Sequence, residues 1–219
     1  MQFKSILSIL LILCILGIGS FSSNTALGDD HAMNPAVERL RTLGFDVDEQ
    51  VLQESENQTM FGILLDLGMG DYNYDTGEWT PTSSQVYAFD AEVYDIEHMY
   101  RLFLQGVQSI VPEVVISDIQ EDLSQMTDEM IPSKTTQWMQ TDGKRTVSFL
   151  CNNHPYSIVL ESWGDWINMN MLDFMNHVLE KEGCPNRLHI ITDDMDQLVI
   201  MIYSTQERAD IIKPLINVH

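Results

Sequence analysis

Asp71-Tyr72-Asn73-Tyr74-Asp75 puts side-chain oxygens at the first, third and fifth positions of an EF-hand-like loop. Calcium is held by such oxygens, so Asp71, Asn73 and Asp75 are candidate metal ligands. The pattern then lapses. Thr76 stands where the sharp-turn glycine belongs, Gly77 comes one residue late, and Thr82 takes the place of the bidentate Glu. The same residues read as one arm of a hairpin, with Tyr72 and Tyr74 on one face and a turn at Asp75-Thr76-Gly77. The hairpin accounts for more of the pattern. Calcium is the one cofactor the sequence admits.

Carboxylates elsewhere offer acid–base chemistry. Asp90 and Glu92 are two apart on an expected strand and share a face, as the acid pair of a retaining glycosidase would require. Asp193-Asp194-Met195-Asp196 is a third acidic group, in which Asp also serves as a favoured turn residue. With 33 acids in 219 residues, such pairs arise by coincidence, and they carry little weight. No G-x-S-x-G elbow, P-loop, G-x-G-x-x-G or H-E-x-x-H occurs, and the histidines lack zinc-finger spacing with cysteine.

Aromatic residues supply a different chemistry. Tyr72, Tyr74 and Trp79 flank the acidic loop, and Trp163-Gly164-Asp165-Trp166 places two indoles around a turn pair. Exposed, these five are candidate partner-binding residues, able to stack or to face cations. Turned inward, they are core. Charge sharpens the first reading. Residues 29 to 130 hold 22 acids against Arg39, Arg41 and Arg101, a balance of −19, while residues 131 to 219 carry −4. Such a field repels nucleic acid and anionic membranes and favours an unknown protein or ligand that is cationic. Solubility alone also accounts for an acidic exported chain.

Export is expected from the start of the chain. Lys4, the apolar run Ile6 to Ile18 and the small residues of Ala26-Leu27-Gly28 form the three parts of a signal peptide over residues 1–28. The run is too short to span a bilayer as a helix, so no stable membrane span remains after cleavage. The expected location is secreted or cell surface. There Cys151 and Cys184 can pair as a disulfide or remain as small buried hydrophobes.

The elements that must position these residues fall into two parts. Residues 29–84 read as a helical N-terminal segment followed by the acidic, aromatic loop. Asn34-Pro35 starts one helix, and Met60, Ile63, Leu64 and Leu67 mark a second that stops at Gly68. Residues 85–219 read as an α+β domain. It comprises a strand over 85–93, a helix capped by Asp95 with the stripe Ile96, Met99, Phe103, Val107 and Ile110, and a strand over 113–119. A polar connection over 120–136, a hairpin over 144–162 and a helix with an Asn170/Asp173 capping box follow. Strands at 188–191 and 198–203 and a helix begun by Ser204 and Glu207 complete the domain. Leu198 to Tyr203 is apolar on both faces and must be central. The expected fold is a mostly antiparallel sheet packed on two or three helices.

The composition and the missing motifs favour an exported, acidic, non-enzymatic binding protein. An extracellular carboxylate-dependent hydrolase and a calcium-stabilised module are the alternatives.

Overall fold

A computed structural model describes residues 34–47, 59–73, 75–93, 95–126, 142–192 and 197–216, with backbone alone at Asp142 and Trp163. The expected signal segment, Tyr74 and the 193–196 acids lie outside them. The described helices are α1 (Pro35–Thr42), α2 (Met60–Met69), α3 (Met99–Ile110), α4 (Asn170–Lys181) and α5 (Gln206–Ile216). The strands are β1 (Asp71–Asn73), β2 (Glu78–Thr80), β3 (Val86–Asp90), β4 (Ile116–Met126), β5 (Asp142–Cys151), β6 (His154–Trp163), β7 (Arg187–Ile190) and β8 (Leu198–Ser204). Every pairing is antiparallel. The sheets are the hairpin β1-β2, β3-β8-β7, and β4-β5-β6. The fold is α+β, with helices packed on antiparallel sheets.

β8 lies in the middle of its sheet, and both of its faces are buried for different reasons. Val199 and Met201 join Tyr87, Phe89 and Leu188 against α3 and α4. Ile200 and Ile202 join Val86 and Ala88 against α1, α2 and α5. Alternation along the strand thus serves two cores at once. The β4-β5-β6 sheet closes the α3/α4 core from another side through Val147, Phe149, Cys151 and Leu160. Residues 91–93 pair with 165–167, which stitches the two sheets at one corner: Val93 N–H donates to the Asp165 carbonyl and Ile167 N–H to that of Ala91. Packing continues across residue 85, because α2 lies on β3.

Helix α2 runs past Gly68 and ends at Gly70, whose φ is 67°. Gly68 is a contact residue, not a stop. A Cβ there would lie 2.6 Å from the Ala88 amide nitrogen, so only glycine lets the helix sit this close to the strand. Three expected caps also differ. Asp95 precedes a short 3-10 turn and bonds His98, and the first N–H groups of α3 go instead to Glu121 of β4. Asn168, not Asn170, accepts at the head of α4. Thr205, not Ser204, accepts from Arg208 at the head of α5. The stretch 120–126, expected as connection, continues β4.

Edges are closed by local means. Asn176 of α4 reaches the outer side of β7, where its carboxamide donates to the Leu188 carbonyl at 3.0 Å and accepts the Leu188 N–H at 2.8 Å. It does for β7 what a further strand would do. β4 is broken by register shifts between Ser117 and Gln120 and between Asp122 and Gln125.

Candidate functional site

The aromatic residues divide between core and surface. Trp79 faces Tyr72 across the β1-β2 hairpin, both half-buried. Its indole N–H donates to the Met69 carbonyl at 2.7 Å, and its ring meets Tyr87 edge-on at 5.5 Å between centroids. Trp79 therefore fastens the hairpin to the core. Trp166 is different. It is 43% exposed, although it lies at the corner where the sheets are stitched.

That corner gathers acids. Trp166 pairs with Glu92 on the ladder, so their side chains leave the same face. Asp90 lies two residues before Glu92 and shares that face. Gln197, just before β8, donates from one amide nitrogen to the Asp90 carboxylate at 3.2 Å and to that of Glu92 at 2.9 Å. Asp165 adjoins Trp166 in the chain. The arrangement is an exposed indole beside two carboxylates held together by one amide. It can take a cation, since the ring face and the carboxylates attract the same charge. The sequence foresaw the Asp90–Glu92 pair and Trp166 separately. Gln197 carried no signal, because its role depends on a contact 105 residues away from Glu92.

The expected metal loop takes the hairpin form. The Asn73 side-chain oxygen accepts the N–H groups of Asp75 and Thr76, at 2.9 and 3.2 Å, and so shapes the turn. Asp71 and Asp75 are exposed on either side of it. Among the described residues no group of three His, Cys, Asp or Glu is placed to hold a metal ion. Tyr74 and the Trp163 side chain lie outside the described residues.

Two polar clusters were not expected. In the first, the Arg145 guanidinium, 1% exposed, donates to Glu121 at 2.6 Å and lies over the Tyr100 ring. The other Glu121 oxygen accepts the Tyr100 and Arg101 N–H groups at the head of α3. Burial pushes the Glu121 carboxyl up, against the pull of Arg145 and the Arg101 N–H. Tyr100 in turn accepts the Asn168 N–H at 3.0 Å, and Asn168 donates to the Glu161 carbonyl. The second cluster centres on Glu182, just after α4. It accepts from Tyr156 at 2.5 Å and from Asn152 at 3.2 Å, and pairs with His154 Nδ1 at 2.9 Å. The Tyr156 bond, helped by His154 and Asn152, holds the Glu182 carboxyl below its usual range. Cys151 is buried here and free, as is Cys184, and burial pushes the Cys151 thiol up to about 12. At neutral pH it is a protonated core residue, not a nucleophile.

No known protein family, curated protein or solved structure matches this chain.

Proposed function

We propose that this is an exported protein of the secreted or cell-surface compartment, and that it works by binding a cationic partner and not by catalysis. The observation that carries the reading is Trp166, a large exposed indole held on one face with Glu92 and Asp90. Left to itself, an exposed indole is costly in water, and here it sits beside the groups that suit a Lys or Arg side chain. The −19 balance of residues 29 to 130 supports the same partner chemistry and supplies long-range attraction.

Polylysine is the simplest probe. Calorimetric titration at low salt should show binding that weakens as salt rises. Trp166→Ala and the pair Asp90→Asn with Glu92→Gln should each reduce affinity, with melting temperatures near that of the parent chain. Binding that ignores salt, or that is indifferent to all three positions, removes the reading. Mass spectrometry of the exported chain should find its N-terminus after residue 28. An N-terminus at Met1 or Gln2 contradicts the proposed processing.

A further inference from the structure

The edges of the two larger sheets are not alike. β7 is closed by Asn176, β4 is interrupted by register shifts, and β3 is only five residues long, with residues 91–93 just beyond it paired to 165–167. β6 has no comparable closure. It runs ten residues in unbroken register with β5 and pairs with no other strand among the described residues.

The turn fixes which groups that edge presents. Asn152 and Asn153, with φ of 50° and 67°, form a two-residue turn between Cys151 and His154, the hydrogen-bonded closing pair of the hairpin. Hydrogen-bonded and open pairs then alternate. Pro155, Ser157, Val159 and Glu161 fall on the open pairs, so their backbone groups point away from β5. Two observations agree. Pro155, which has no N–H, sits at such a position, and the Glu161 carbonyl accepts from Asn168 outside the sheet. The N–H and C=O groups of Ser157 and Val159, with the Glu161 N–H, form a template for another strand. Ser157 and Glu161 are exposed, and Val159 is 55% exposed.

We infer that β6 is a docking edge for an extended basic segment of the partner protein, which adds to the β4-β5-β6 sheet as a fourth strand. The main-chain groups give affinity, and alternate side chains give selection. On the outer face the incoming strand meets Ser157, Val159 and Glu161, a row that suits a β-branched or basic residue. Charge selects the occupant. A second copy of this chain would bring another −22, whereas a basic segment is attracted. The inference rests on the cationic-partner reading and adds to it a place and a conformation.

The test uses a short synthetic peptide of alternating valine and lysine, with a valine–glutamate peptide as control. The lysine peptide should bind, and amide hydrogen exchange should slow at Ser157, Val159 and Glu161. Val159→Pro removes one outward N–H and leaves the ladder to β5 intact, as Pro155 already does. It should cut binding by about tenfold or more. A lysine peptide N-methylated on the edge-facing amides should lose binding in the same way, whether or not the proline variant folds. Equal binding of the two peptides overturns the inference. So does binding unaffected by Val159→Pro or by N-methylation, no slowing of exchange at those amides, or protection of the same amides by self-association without peptide. If polylysine binds the parent chain and Val159→Pro alike while the edge amides stay unprotected, the edge proposal fails and the cationic-partner reading stands. If neither polylysine nor the lysine peptide binds, both fail.

Discussion

Glu121 shows how one side chain can hold three elements. It lies on β4, neutralises Arg145 of β5 and takes two N–H groups of α3. Arg145 Nε and Nη2 have no protein partner among the described residues, so Glu121 is its main compensation. Glu121→Leu should therefore cost about 3–5 kcal/mol, the cost of stranding a buried charge. Urea unfolding measures it, and the double variant with Arg145→Met should lose less than the two single losses added. Glu182 makes a prediction about pH. Its folded pKa lies below the value of 4.5 expected for the unfolded chain. The folded state thus binds this proton less readily than the unfolded one. Its contribution is present above about pH 4.5 and is lost as pH falls through the folded value. Over that acid range the stability of Glu182→Gln should fall less steeply than that of the parent. Neither cluster could be read from the sequence. Their members are up to 68 residues apart, and buried carboxylates look like solvated ones when only spacing is known.

The elements were more legible where one pattern had one cause. The stripe Ile96, Met99, Phe103, Val107 and Ile110 was expected on the helix face toward the core, and all five are buried. The end of β4 was missed because one of its inward residues is the charged Glu121, and because the register shift between Asp122 and Gln125 breaks the alternation before the buried Met126. Glycine misled in another way. Gly68 reads as a helix stop, yet its small size serves packing. Gly106 of α3 is alike, since a Cβ there would run into the Tyr87 ring. Alanine is the better helix former by about 1 kcal/mol. At both positions it should nevertheless destabilise, by about 1–3 kcal/mol, because the neighbour must move. Gly68→Ala should be the worse, as backbone blocks it. Thermal melts of the two variants decide. A rise in melting temperature at either position would mean that the contact yields.

At the scale of the molecule, β8 is the shared wall of two cores. The expectation that Leu198 to Tyr203 is central rests on its apolar residues on both faces, and Val199 to Ile202 are all buried. Ile200→Asp places a carboxylate without a partner in the α1/α2/α5 core, at several kcal/mol against a total of about 5–15 kcal/mol. It should abolish the cooperative transition seen by circular dichroism, including the α3/α4 core that it does not touch. A variant in which that second core still melts cooperatively would mean that the two fold independently. The candidate site was half legible. The acids and the tryptophans stood out by type, but the turn that brings Trp166 to Glu92 joins residues 74 apart and left no local trace.

Asn176 also sets an order of events in time. Its carboxamide reaches Leu188 only from a formed and docked α4. The β7-β8 hairpin is local and can form sooner, and until α4 arrives it shows an unguarded edge to every other chain in solution. The dangerous interval is therefore kinetic, and the finished protein does not display it. Asn176→Ala should refold well when dilute and lose yield steeply as chain concentration rises, while the survivors melt close to the parent. Equal yields at every concentration would show that the hairpin forms no earlier than its guard.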